Sequence, residues 1–276
     1  MLNLLLFELK SRWRAILGWT IGLIAFGALY TGIYPEMADE MASLANLSVY
    51  QVMGISIGTF KEYIGSVVLL FMPILLGVYA IVTSTKTLAG EEDAGTLELL
   101  MAKPIARWQI VCAKALAIGA SVFFVLLFSG LGHAAVLAAV NASYGTNLAP
   151  MQLFAANLNS WFIVMAFAMI SLFLGAILPS RRLASMTATV ILIVSYFGEN
   201  IGSMVDSMKW MSPWSLFTYY DTSASIFDHG IATGDLLVTL GTAIVFFVLA
   251  LVSFQTRNVT VGAWPWTRNR VPVVHR

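Results

Sequence analysis

Residues 85–114 read TKTLAGEEDAGTLELLMAKPIARWQIVCAK, and the rest of the chain is organised around them. This stretch holds four of the 14 acidic residues (Glu91, Glu92, Asp93, Glu98) and four of the 15 basic ones (Lys86, Lys103, Arg107, Lys114). Glu91, Glu92 and Asp93 precede Gly95 and Thr96, and a helical stretch follows over 97–102. Acids before a helix complement the positive end of its dipole. Leu97, Leu100 and Met101 fall at i, i+3 and i+4, so one face is apolar. Pro104, two residues further on, ends the helix. The pattern predicts a short amphipathic helix standing in water between hydrophobic segments. Its acidic cluster disfavours a seat on negatively charged lipid headgroups and favours a knob that fits a protein.

The remainder is hydrophobic. Of 276 residues, 59% are hydrophobic and 11% charged, and the mean hydropathy is +0.84. Globular domains carry about 25% charged residues, so lipid is the solvent for most of this chain. A single membrane domain spanning 1–276 is expected. A formal charge of +1 and the lack of a basic run give no sign of nucleic-acid binding. The single cysteine, Cys112, excludes an intramolecular disulfide and a cysteine-based zinc site, and His133, His229 and His275 are scattered. The N-terminus does not read as a signal peptide, because Glu8 interrupts its apolar stretch and Lys10, Arg12 and Arg14 follow it.

A membrane-crossing helix needs about 20 apolar residues. Six segments qualify, at about 15–34, 62–84, 109–140, 153–178, 184–204 and 236–256. The third would reach about 48 Å at 1.5 Å per residue, longer than the hydrocarbon core, so one end projects beside the 85–114 loop. Residues 1–14 are expected as an interfacial helix preceding the first span. On this layout 13 of the 15 basic residues share one side, leaving Lys61 and Lys209 opposite. That asymmetry places both termini, the 85–114 loop and the 257–276 tail in the cytosol.

The opposite side is read from its residue types. Residues 35–61 carry Glu36, Asp39 and Glu40 and a stripe of Met37, Met41, Leu44 and Leu47, which predicts a helix on the outer face. Residues 205–235 hold Trp210, Trp214, Phe217, Tyr219 and Tyr220, residue types that anchor at membrane interfaces. Gly18 with Gly22, and Gly198 with Gly202, have the spacing that permits close helix approach or a dimer contact. Pro73 could kink the second span. Glu199, beside Asn200 in the outer part of the fifth span, is a candidate for the pathway or its outer gate. An ion-coupled transporter would want charges near mid-membrane, and none occupies the centre of a span. An intramembrane serine protease is poorly supported, since Ser129 and His133 lie on one helix.

The stretch also resembles a known family. Glu91, Asp93, Gly95, Thr96, Glu98, Leu99, Leu100, Pro104, Ile105, Arg107 and Lys114 match the signature of ABC-2-type ABC transporter permeases. Ala106 departs from it where serine is usual, which removes a local capping hydroxyl. The resemblance implies an all-α, six-span exporter domain of the type V (ABC-2/ABCG-like) class, with 1–14 as a connecting helix and spans 2 and 5 near the pathway. It implies that two permeases, identical or related, pair in a prokaryotic cell membrane. Residues 95–102 would be a coupling helix docked into a separate ATP-binding-cassette subunit, through Glu91, Asp93, Gly95, Thr96, Leu97, Glu98, Leu100, Met101, Pro104 and Arg107. No Gly-Lys dipeptide occurs, so no P-loop lies in this chain. ATP and Mg would then be bound by the partner, with no cofactor and no catalytic or metal residues here. Drugs, lipids or peptides are the expected cargo; an ion-coupled transporter or an intramembrane enzyme is the alternative.

Overall fold

The computed structural model describes residues 1–44, 57–102 and 105–256. Among these residues it is helical, with no strand. Six helices are long and apolar enough to cross a membrane: α1 (Leu2–Leu44), α2 (Phe60–Asp93), α4 (Arg107–Tyr144), α5 (Pro150–Ile177), α6 (Arg181–Met204) and α8 (Thr233–Thr256). Two short ones complete the set, α3 (Thr96–Met101) between α2 and α4, and α7 (Ser225–His229) before α8.

Helix α5 is the centre. Residues 163–172 are buried without a break, because α4, α2, α8 and α6 all pack around it. A helix apolar on every side is stable in that position. By contrast α1, α6 and α8 keep broad apolar faces outward, including Leu17, Ile21 and Leu29 on α1 and Val245, Val248 and Val252 on α8. With lipid as solvent those faces carry no penalty.

Residues 1–14 are not a separate helix. They continue without interruption into the first span, and α1 runs on through Pro35 to Leu44. No glycine or proline occurs before Gly18 to break it. Glu8 and Arg12 form an i,i+4 ion pair at 2.8 Å that is drawn inward by α4. The expected outer-face helix over 35–61 is therefore, over residues 35–44, the far end of α1, while Phe60 and Lys61 begin α2. Leu47 lies outside the described residues, as do the side chains of Met41 and Leu44.

The two ends of the bundle are chemically distinct. At one end lie the N-terminus, the α2–α3–α4 connection, the α5–α6 turn and the end of α8. The contacts are Lys114 to Glu8, Asp93 to the Arg181 amide, and Arg107 Nη1 to the Gln255 carbonyl at 3.3 Å. At the other end Lys61 pairs with Asp228 at 2.7 Å and Lys209 with Asp206 at 2.6 Å. The Lys61 ammonium and a hydrogen bond from Gln152 hold the Asp228 carboxyl below the usual carboxylate range. Of the aromatics at this end, Trp210 and Trp214 are exposed, whereas Phe217 and Tyr220 are buried.

The close-approach glycines differ from those expected. A Cβ at Gly27 would overlap His133 Nε2, and one at Gly132 would lie 2.5 Å from the Ile24 side chain, so each glycine of the α1–α4 contact receives a side chain from the other helix. His133 Nε2 donates to the Leu23 carbonyl at 2.8 Å across this contact, while Ser129 donates to the Leu126 carbonyl. Gly198 and Gly202 are buried, and a Cβ at Gly202 would overlap Ser212 Oγ. That pair faces the chain's own 3₁₀ segment Asp206–Trp214 rather than a second molecule. Only Gly18 and Gly22 of the expected pairs stand open, with nothing within 4 Å of an added Cβ.

Pro73 is buried and does not end α2, which continues as regular helix over Leu70–Thr85 after a π-helical turn at Ile64–Leu69. Proline lacks the N–H that would have bonded the Leu69 carbonyl four residues earlier. The Tyr220 hydroxyl fills that vacancy, donating to Leu69 O at 3.0 Å and meeting Ser160 Oγ at 2.7 Å. Burial pushes the Tyr220 hydroxyl's pKa up. Replacing Tyr220 with Phe is expected to cost about 1–3 kcal/mol by orphaning a buried carbonyl, read as lowered unfolding stability in detergent with native helical content.

Candidate functional site

The stretch 85–114 is far less of a loop than its composition suggests. Helix α2 extends through Asp93, with a second π-helical turn at Lys86–Gly90, and α4 begins at Arg107. Helix α3 stands between these two helix ends. Gly95 has φ of 67°, the left-handed conformation that closes a helix, and its amide donates to the Glu92 carbonyl at 2.9 Å. Thr96 Oγ1 donates to the Glu91 carbonyl at 3.1 Å. The Gly-Thr pair is thus a helix stop that also starts α3.

Three consecutive acids point in three directions, as helical geometry requires of neighbours about 100° apart. Glu91 accepts from Lys114 Nζ at 2.5 Å. Glu92 turns into the protein and is buried. Asp93 Oδ2 accepts from the Arg181 amide at 2.9 Å, placing a carboxylate at the positive end of α6.

Lys114 is the pivot. Its side chain is fully buried, and Nζ also reaches Glu8 Oε1 at 2.8 Å. Glu8 in turn binds Arg12 at 2.8 Å through its other oxygen. Two carboxylates and two cations thereby close a neutral network joining the start of α1, the end of α2 and the second turn of α4. A buried charge is tolerated when paired and hydrogen-bonded in this way.

The outward face of α3 differs from the expected one. Leu97 is 1% exposed and belongs to the core. Leu100 is half-buried, and the apolar residue presented outward is Leu99, 72% exposed. The difference follows from α3 being pinned at its first turn, which rotates Leu97 inward. The side chains of Glu98 and Met101, and residues Lys103 and Pro104, lie outside the described residues. At the start of α4 Ala106 offers no capping hydroxyl; instead Gln109 Oε1 accepts from the Ala106 amide at 3.2 Å.

Sequence reasoning overlooked Glu8 and Arg12. The signal was present in a lone carboxylate within an apolar N-terminal run, a cation four residues later, and Lys114 inside an apolar helix.

At the opposite end Glu199 and Asn200 line a polar cavity of about 730 Å³ with Glu62, Asp221 and Asp235. Thr218 Oγ1 donates to Glu199, and Asn200 Nδ2 donates to the Tyr196 carbonyl at 2.8 Å. Pro73 does not reach this cavity.

The described residues thus form six helices long and apolar enough to cross a membrane, with a short helix braced at one end of the bundle. The family model described as ABC-2 family transporter protein matches residues 3–259, and the chain belongs to that family. It is therefore a multi-pass membrane permease of an ABC transporter, a class that works with an ATP-binding-cassette subunit and is not itself catalytic. The comparison with curated proteins returned no match.

Lys114→Met is expected to destabilise the fold by about 3–5 kcal/mol, because it leaves Glu91 without its cation and Glu8 with Arg12 alone. Adding Glu8→Leu, Glu91→Leu and Arg12→Leu should recover most of that loss in denaturant unfolding of the detergent-solubilised chain.

Proposed function

We propose that this chain is the pathway-forming subunit of an exporter in a prokaryotic cell membrane, with its basic end in the cytosol. The observation that carries this reading is α3, which presents Leu99 outward while its base is tied to three spans. Asp93 links it to α6, Glu91 to α4, and Lys114 carries the tie on to α1. A partner ATPase seated on α3 would pull on all of these together, because the anchors are direct hydrogen bonds and ion pairs of 2.5–2.9 Å. Mg-ATP is bound and hydrolysed by that partner. The residues 91–107 divide into those that root the knob (Glu91, Asp93, Gly95, Thr96, Leu97 and Arg107) and those that meet the partner, centred on Leu99.

Two permeases, identical or related, pair to enclose the pathway. The polar cavity around Glu199 is its outer mouth, and hydrophobic or amphipathic compounds are the cargo. The apolar faces of the spans favour this reading over an ion-coupled transporter.

Leu99→Asp is expected to reduce transport-coupled ATP hydrolysis about tenfold or more, the scale of a lost interface anchor. The ATP-binding subunit should co-purify poorly while the permease keeps its helical content. Full ATPase stimulation in this variant would refute docking through α3. Glu199→Gln should lower transport in vesicles without altering subunit co-purification; unchanged transport would remove Glu199 from the pathway.

A further inference from the structure

Two cavities adjoin between α1 and α2, and their chemistry changes along the membrane normal. The first, about 330 Å³, lies at the α3 end and is lined by Glu8, Arg12, Tyr79, Lys86 and Glu91. The second, about 590 Å³, lies deeper and is apolar, lined by Gly18, Gly22, Leu23, Phe26 and Leu75. Ala15 and Trp19 line both, so one passage runs from polar to apolar. No side chain fills the deeper part, since an added Cβ at Gly18 or Gly22 meets nothing within 4 Å.

The polar part holds groups left without partners. Tyr79 is 3% exposed and its hydroxyl makes no hydrogen bond among the described residues. Its ring is fixed 5.7 Å from that of Trp19. Arg12 is 9% exposed and its Nε has no acceptor. Both carboxylates in the lining are already held, Glu8 by Arg12 and Lys114, and Glu91 by Lys114. Lys86 adds an exposed ammonium with no ion pair among the described residues. The Arg181 side chain runs against Gly90 beside that of Lys86, and Asp93 meets the Arg181 amide, so within the cavity lining Lys86 is the cation left over. The unmet groups are therefore N–H and O–H donors around an excess cation, above an open apolar channel.

We infer that this passage binds one anionic phospholipid, with its phosphate against Lys86, Arg12 and Tyr79 and an acyl chain along Gly18 and Gly22. A phosphate supplies acceptor oxygens to these donors, and a paired acyl chain matches the apolar depth. The site is independent of the ATPase-docking reading, for it needs only α1 and α2. It gives the permease a bound lipid wedged beside the Glu8, Arg12, Glu91 and Lys114 network.

The test uses the full chain in nanodiscs carrying a trace of phosphatidylglycerol with a photoreactive acyl chain. Label is expected on α1 and α2 peptides, with phosphatidylcholine bearing the same chain labelling them far less. Lys86→Gln and Tyr79→Phe should each reduce that label about fivefold, the scale of one basic or donor contact at an anionic headgroup. Gly22→Leu, which fills the apolar channel on an exposed helix face, should reduce it similarly. Millimolar inorganic phosphate should leave it unchanged. Even labelling of all outer helices, insensitive to these substitutions, would show bulk lipid only and overturn the proposal. Displacement by inorganic phosphate would assign the donors to a soluble anion and overturn it as well. A crosslink from the α1–α2 groove to a second copy of the chain, in place of lipid label, would do the same.

Discussion

One ammonium group organises the end of this protein that carries α3. Lys114 is wholly removed from solvent, and it is stable there because Glu8 and Glu91 lie 2.8 and 2.5 Å away. Desolvating each ion costs several kcal/mol, so the arrangement survives only when all partners are in place. Arg12 completes the count by neutralising Glu8. The network is consequently all-or-none, and it selects one rotation and depth for α1, α2 and α4 relative to each other. Apolar packing alone would tolerate sliding between lipid-embedded helices; paired charges do not.

The same economy of polar groups runs through the rest of the fold. Several irregularities in the helices meet a specific partner. Gly95 closes α2 with a left-handed turn, Thr96 and Asp93 satisfy backbone groups at neighbouring helix ends, and Tyr220 serves the carbonyl released by Pro73. Where no water reaches, as at the Leu69 carbonyl, such a partner is obligatory. The contacts of Gly95, Thr96 and Asp93 also tie the base of α3 to the ends of α2 and α6.

Much of this was legible along the chain. Six hydrophobic segments, the crowd of basic residues at one side and the signature around Gly95 and Thr96 led to the class and the architecture. The reading failed where an outcome depended on helix rotation. Leu97 and Leu99 are two residues apart and both apolar, yet one is core and the other exposed. Gly198 and Gly202 have the spacing of a helix contact, but their neighbour is the segment that follows them, whereas Gly27 and Gly132 form the true close approach between spans. Residues 1–14 carry enough charge to suggest an interfacial helix, but Glu8 and Arg12 spend those charges inside the protein.

By itself, then, the sequence determined the solvent, the number of spans, the sidedness of the charges and the place of the short helix. Those properties depend on residue type and run length, which act locally along the chain. Tertiary structure alone decided that Lys114 joins Glu8 to Glu91, that Leu99 rather than Leu97 faces out, and that a polar passage opens into an apolar one between α1 and α2. Each of these depends on the relative rotation and depth of helices far apart in sequence, which packing around α5 sets for α2, α4, α6 and α8 and contact with α4 sets for α1.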